Sequence, residues 1–399
     1  MNITELLFWI SVFLVFYAFL GYGLVLYLLV RVKRMFRKKA GDEDHNGDNL
    51  PEVTLFVSAY NEREIIPWKV KNSLELDYPR DKIRHVWVTD GSDDGSAELL
   101  RSMKNIEVYH QPERRGKIAA MNRGMQFVRT PIVIFSDANT RLGKESVRRI
   151  VSLFKDPGVG AVSGEKRISA TKDAPVSGAG EGIYWKYESQ LKKWDSELYS
   201  VVGAAGELFA IRSELWKEVE PDTLLDDFII SLRIAMAGYT VKYDPEAYAE
   251  ETGSASMEEE LKRKIRISAG GIQAVLRLKT LLNIFKYGIL SFQYISHRVL
   301  RWMVTPYLLL LIIPLNLLLC MQEQSGGIAG LYTVLWYAQI LFYLLVLTGW
   351  LLRNRPVRFR LLLIPYYFWM MNYSVYIGLI RYVRGRQSVV WEKVRRTEA

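Results

Sequence analysis

Four short stretches place carboxylates, amides and a lysine where chemistry could use them. "TPIVIFSDANT" (residues 130–140) is an apolar run that stops at Asp137 and Asn139, two positions apart. "SAYNE" ends in Asn61 and Glu62, "TDGSDDGS" carries Asp90 and then Gly91, and "RRGKIAAMNRG" places Lys117 directly after Gly116. A carboxylate such as Asp137 suits a divalent cation held through oxygen, and such a cation would bridge a diphosphate. A lysine at a helix start is placed to meet phosphate. Asp and Asn also end strands as ordinary turn formers. What decides between the two is whether the stretches meet in one place.

The flanking elements give them that place. "VTLFVSAY", "IRHVWVTD", "IEVYHQ" and "PIVIFSD" are short runs rich in β-branched and aromatic residues and read as strands. "EREIIPWKVKNSLEL", "SDDGSAELLRSMK" with its Ser/Asp caps, and "GKIAAMNRGMQFV" read as the helices between them. This rhythm predicts an α/β fold with a mostly parallel central sheet and helices on both faces. Ligands on such sheets bind beyond the carboxyl ends of the strands. Asn61, Glu62, Asp90 and Asp137 all fall at such ends, and with Lys117 they describe a nucleotide-diphosphate site.

The chain has 399 residues, of which 50% are hydrophobic and 13% aromatic. It is too long for one small domain and too apolar in places for a purely soluble protein. Residues 6 to 30 carry no charge and are long enough to span a bilayer. That run exceeds a signal-peptide core and no small-residue cleavage site follows, so it reads as a retained anchor. Further runs lie near residues 303–321 and 331–352, and a fourth, 361–380, is interrupted by Pro365, Asn372 and Ser374. "RVKRMFRKKA" after the first run and "RNRPVRFR" after the third are cytoplasmic flanks by the positive-inside rule. The net charge of +10 therefore reflects topology and lipid contact rather than nucleic acid, for which the chain has no recognised motif. A full fourth crossing would carry the basic tail outside, so a bent, re-entrant segment is expected there. "LKRKIRISAGGIQAVLRLKTLLNIFKYG" and "YISHRVLRWMVTPY" mix cations and apolar residues at helical spacing and read as helices on the bilayer surface. Cys320 is the single cysteine, which rules out a disulfide within the chain and fits a reducing compartment for the soluble part. The four histidines have no zinc spacing. The expected division is a transmembrane helix over 1–30, a basic flank and acidic linker over 31–52, and a cytosolic domain over 53–271. Interfacial helices over 272–302 and a membrane module with a basic tail over 303–399 follow.

Taken in order, these motifs resemble a membrane-anchored, inverting family 2 glycosyltransferase with a catalytic domain of the A type. That group includes hyaluronan, chitin, cellulose and poly-N-acetylglucosamine synthases and lipid-directed relatives. The resemblance covers residues 53–271 and implies a hexosyl- or N-acetylhexosaminyl-transferase. It implies that Asp90, Tyr60 and Glu62 line the nucleoside pocket and that Lys117 lies near the nucleotide. Asp137 matches the first acid of the D-x-D motif that holds Mg²⁺ or Mn²⁺ on the diphosphate, with Asn139 in the third position adding an amide oxygen but no charge. "GAAGELFAIR", with Gly203 and Gly206, resembles the acceptor-side segment, whose glycines admit a close backbone approach. "LLDDFIISLRIAMAGY" resembles the T-E-D motif, with Asp227 as catalytic base and Asp226 before it. Both aspartates also suit the first turn of a helix. The Q-x-x-R-W motif of processive members aligns with Arg263, Lys264, Ile265, Arg266 and Ile267. Arg266 is kept and could fork onto the diphosphate, Arg263 replaces Gln, and Ile267 replaces the Trp that would stack on a growing chain.

The function this implies is metal-dependent transfer from a nucleotide-diphosphate sugar, UDP-linked, to a lipid or lipid-linked glycan at the cytosolic face of a bacterial inner membrane. A processive synthase is the first alternative, disfavoured by Ile267 and by the small number of spans. A non-enzymatic transporter would show polar residues inside its spans, where Asn316, Asn372 and Ser374 are few; a nucleotide-sugar sensor would not need Asp227. "EGIYWKYESQLKKWDSELY" could line the acceptor side through Trp185 or Glu188, though it reads first as a packed amphipathic helix. The sequence leaves the oligomeric state open.

Overall fold

The N-terminal run folds as a single rod. Helix α1 (Ile3–Phe16) starts with a capping box, in which the Glu5 N–H donates to Asn2 Oδ1 and the Asn2 N–H donates to the Glu5 carboxylate. A π-helical turn, Tyr17–Gly21, joins it to α2 (Tyr22–Phe36). This computed structural model describes residues 2–36, 50–169, 177–254, 256–323, 330–353 and 363–388. Most of the expected linker, the basic stretch after the third run and the basic tail lie outside the described residues.

The domain that follows is the expected mixed sheet. Its elements begin with β1 (Val53–Ala59), α3 (Ile66–Leu74), β2 (Ile83–Asp90), α4 (Ser96–Arg101) and β3 (Glu107–Gln111). Next come α5 (Lys117–Met125), β4 (Ile132–Asp137), β5 (Arg141–Leu142), α6 (Ser146–Leu153) and β6 (Val159–Ser169). Then follow α7 (Ser177–Leu198), β7 (Leu208–Arg212), α8 (Asp226–Met236) and β8 (Thr240–Thr252). The eight strands lie in the order β3-β2-β1-β4-β7-β6-β8-β5. Long strand neighbours run parallel except where β7 inserts antiparallel between β4 and β6. Every residue of β1 is buried, as expected of a strand covered on both faces. Phe56, Val88, Met121, Phe135, Phe209 and Phe228 pack one face, and Leu55, Val57, Ile66, Trp87, Ile134 and Ile150 the other.

The chain moves outward from β1 through β2 to β3, then returns to pair β4 on the other side of β1. That reversal opens a crevice beyond the strand ends. Registry sets Ala59 beside Thr89 and Ser58 beside Asp137, so the ends of β1, β2 and β4 are level there. Two local expectations shift. Helix α3 starts at Ile66 rather than Glu62, because Pro67 is accommodated only in a first turn. Helix α4 is capped by Gly95 in the left-handed region (φ 83°), while Asp94 Oδ1 accepts the Ser96 N–H from one residue earlier.

Helix α9 (Met257–Arg277) runs unbroken through residue 271, where the sequence suggests a boundary. After it come α10 (Ile284–Tyr287), α11 (Ile289–Tyr294), a π-helical segment Ile295–Val304, and α12 (Thr305–Gln322). Helices α13 (Leu331–Leu352) and α14 (Ile364–Val383) complete the described chain. Among the described residues three helical stretches are long and apolar enough to cross a membrane: Ile3–Phe36, Ile289–Gln322 and Leu331–Leu352. The fourth run is not among them. Instead of bending, α14 is unbroken, with Pro365 in its first turn where no N–H is needed. It lies along α9: Ser374 and Ser268 hydroxyls are 3.0 Å apart, and a β-carbon on Gly378 would stand 2.8 Å from the Ala269 nitrogen. At one end Tyr367 approaches Glu260, and beyond the other Ser388 lines the crevice beside Lys117. The flanks of α14 thus lie against α9 and the α/β domain.

A buried polar knot ties this assembly together. Asp195 on α7 accepts from Tyr22 of α2 and from Gln293 Nε2 (2.9 Å), and its Oδ2 lies 2.6 Å from His297 Nδ1. Glu188, one helical turn and more away on α7, pairs with Arg298 (2.8 Å), Arg301 (3.1 Å) and His297 Nε2 (3.1 Å). Glu188 is therefore an anchor for the helix after α11 rather than an acceptor-facing group, and α7 is the packed helix the sequence suggests. Removing one partner of a fully buried ionic network strands the rest. Asp195→Ala is expected to destabilise the protein by about 3–5 kcal/mol, read as a lowered unfolding midpoint in detergent.

Candidate active site

The crevice is organised around Lys117. Gly116, at φ 94°, turns the chain into α5 so that Lys117 is its first residue. The Lys117 ammonium lies 2.9 Å from Asp137 Oδ1 at the end of β4 and 3.3 Å from Asp226 Oδ2 in the first turn of α8. Burial disfavours its charge, but Asp137, Asp226 and Asp227 outweigh burial and hold its pKa above the ordinary lysine value. Burial likewise raises Asp137 against the pull of Lys117. Asp227 is pushed up to about 7, first by burial and then by the adjacent Asp226 charge. Gly206 packs so closely on it that a β-carbon there would meet its carboxyl group at 3.4 Å. Arg266 reaches the same crevice from α9, beside Lys117, Asp226 and Ser388.

The second strand end shapes the approach to Lys117. Asp90 accepts the N–H groups of Arg115 (3.1 Å) and Gly116 (2.6 Å), which fixes the loop leading into α5. Gly91 takes φ 68°, and a β-carbon there would collide with the Arg114 backbone. Arg114 in turn stacks its guanidinium 3.7 Å above the Tyr60 ring. Glu62 donates its N–H to Ser96 Oγ at 3.1 Å, bridging the β1 and β2 ends. Gly203 sits at φ 104° against the Phe228 ring, where any side chain would clash. The structure thus gathers Lys117, Asp137, Asp226, Asp227, Gly206 and Arg266, with Asp90 and Tyr60 on the adjoining loop. Arg263, three residues before Arg266 on α9, pairs with Glu260 (3.0 Å) and Glu251 (3.9 Å).

One positioning residue was hidden in the sequence. Lys69, fully buried under the Asp137–Asn139 turn, donates to Ser136 Oγ (2.8 Å) and to the Thr140 carbonyl (2.7 Å). Burial lowers its pKa to about 7. Thr140 Oγ1 also donates to the Asp137 carbonyl, so the turn carrying Asp137 and Asn139 is pinned from below. Nothing in "IPWKVKNSL" separates this lysine from the solvated Lys71 two positions on.

The donor set is all oxygen. Among the described residues no three His, Cys, Asp or Glu side chains form a cage for a metal. Asp137 and Asn139 would supply only part of a coordination shell, which fits a hard cation that takes its remaining ligands from phosphate and water. Asp226 Oδ2 is buried and faces the same place, engaged there by the Lys117 ammonium at 3.3 Å.

A doubly covered, mostly parallel sheet with a carboxylate and lysine crevice at its switch point is the architecture of the glycosyltransferase A type. The description "Glycosyltransferase like family 2" matches residues 51–270, more than half of the chain. The chain belongs to this family and is a glycosyltransferase. It is 27% identical over 288 residues to the poly-beta-1,6-N-acetyl-D-glucosamine synthase of Staphylococcus aureus, covering 69% of this chain and 67% of that protein. The synthase of the same name from Staphylococcus epidermidis is 24% identical over 332 residues, covering 80% of this chain and 78% of its own. The fold matches the mannosyltransferase PcManGT of Pyrobaculum calidifontis, solved with GDP-Man and Mn²⁺, at a TM-score of 0.67 and 22% identity over 95% of this chain and 99% of that one.

Proposed function

We propose that the protein transfers a sugar, with inversion, from a UDP-linked donor to a lipid or lipid-linked glycan held at the cytosolic face of a bacterial inner membrane. The observation that carries this reading is the convergence of Lys117, Asp137 and the Asp226–Asp227 pair at the sheet's switch point. Asp137 and Asn139 would hold Mg²⁺ or Mn²⁺, which when bound offsets charge on the departing diphosphate. Lys117 and Arg266 add positive charge beside it. Asp227 takes the proton from the acceptor hydroxyl as that oxygen attacks the anomeric carbon. The nucleoside would lie along the Tyr60, Glu62 and Asp90 loop, and the acceptor would approach over Gly203 and Gly206.

The relatives' names supply a second reading, a synthase that repeats the transfer to build a polymer of N-acetylglucosamine. Ile267, where a stacking Trp would stand, and the three candidate spans favour single transfer. Purified protein in lipid with Mn²⁺ is expected to release nucleotide from one member of a UDP- and GDP-sugar panel led by UDP-N-acetylglucosamine. Sizing the product separates one added sugar from a polymer, and release from no donor in the presence of lipid extract sinks both readings.

Asp227 also sets the pH dependence. A base works only when deprotonated, and this one sits near 7 because burial and Asp226 disfavour its charge. The free enzyme's kcat/KM is therefore expected to rise about tenfold per unit below pH about 7 and level off above it. Asp226→Asn removes the neighbouring charge and should move that limb to lower pH, measured as a kcat/KM profile for both proteins.

A further inference from the structure

Glu207 stands beside the Asp226–Asp227 pair, inside the "GAAGELFAIR" segment, and has so far been given no role. It follows Gly206, the residue in contact with the Asp227 carboxyl group. Its negative charge raises the pKa of both Asp227 and Asp137, as a carboxylate near each of them does. Lys166 donates to Glu207 Oε1 at 2.7 Å and also binds Glu251 on β8. Glu251 lies 3.9 Å from Arg263, which is held by Glu260. This buried rail anchors Glu207 to β6, β8 and α9. Burial opposes its charge, but Lys166 outweighs burial and keeps its pKa well below the usual carboxylate range. Lys166 holds Oε1, and the backbone N–H of Glu207 itself also bonds the carboxylate. The Glu207 side chain retains 19% of its surface, against 1% for Lys166.

A fixed, ionised carboxylate that keeps part of its surface exposed has lone pairs left to accept a hydroxyl. On the function proposed above, the transferred sugar bridges the diphosphate at Asp137 and the base at Asp227, so its ring passes Glu207. We infer that Glu207 is a sugar-binding residue, whose carboxylate accepts a hydrogen bond from a ring hydroxyl of the donor hexose. A site built to bind a hydroxyl discriminates against a donor that lacks it, because the acceptor is then left unpaired. Glu207 would thus contribute to the choice of sugar, which the nucleotide-binding residues cannot make.

The test pairs residue with hydroxyl, using the full chain in lipid nanodiscs with Mn²⁺. Binding of UDP, UDP-N-acetylglucosamine and its 3-, 4- and 6-deoxy analogues is measured for wild type, Glu207→Gln and Glu207→Asp. Wild type is expected to bind the parent sugar nucleotide more tightly than UDP and to lose about tenfold or more with one analogue. Both variants should bind UDP as wild type does, bind the parent about tenfold more weakly, and show no further loss with that analogue. Glu207→Asp keeps the charge but withdraws it by one methylene, so a purely structural partner of Lys166 would leave the analogue penalty intact. An unchanged penalty in both variants, an equal fall in UDP affinity, or a wild type that binds the sugar nucleotide no better than UDP overturns the assignment. Wild-type protein that binds no UDP, and releases none from any donor, removes the proposed function itself.

Discussion

Asp227→Asn is expected to lower sugar transfer about a thousandfold while leaving donor binding within about threefold. The amide keeps the volume and the contact with Gly206 but has no carboxylate to accept the acceptor's proton. The neighbouring Asp226 cannot replace it: its Oδ2 is already 3.3 Å from Lys117. Removing the Asp227 charge also relieves its repulsion with Asp226 and Glu207, so the variant should be no less stable than wild type. Nucleotide release under saturating donor reads turnover, and calorimetry with the same nucleotide sugar reads binding. Turnover above about a tenth of wild type would assign the base elsewhere.

The second large effect is expected at Asp137. Asp137→Ala removes a carboxylate placed for a cation and releases Lys117 toward Asp226 alone. Loss of an outer-shell partner already costs metal sites about 10–100-fold in affinity, so loss of a direct ligand should exceed that. Mn²⁺ titrated in the presence of UDP, followed by the paramagnetic signal of free Mn²⁺, should show apparent affinity falling at least a hundredfold or so. Unaltered Mn²⁺ affinity would place the cation away from the β4 end. The same titration tests Lys69: Lys69→Met keeps Asp137 but frees its turn, and a smaller loss is the expected result.

The strands and their polar ends were legible because period and composition are local properties. β-branched runs bounded by turn formers mark β1, β2 and β4, and β4 was read to its last residue, Asp137. Asp226 and Asp227 at a helix start were legible for the same reason. Lys69 was not, since a buried lysine differs from an exposed one only by what folds over it. Lys166 was missed likewise: a cation in a strand becomes meaningful only when Glu207 and Glu251 close on it from two other segments. Arg263, expected on the acceptor side by its motif position, pairs with Glu260 three residues earlier on the same helix face.

The sequence by itself determined the order of elements, the apolar stretches and the residue types at each strand end, all set by neighbours along the chain. The tertiary structure alone decided that the ends of β1, β2 and β4 are level, because register comes from pairing between strands far apart in sequence. It also decided that α14 lies along α9. Hydropathy cannot separate a helix that faces lipid from one that faces protein, and the small residues Ser268, Ala269, Ser374 and Gly378 let these two backbones close on each other.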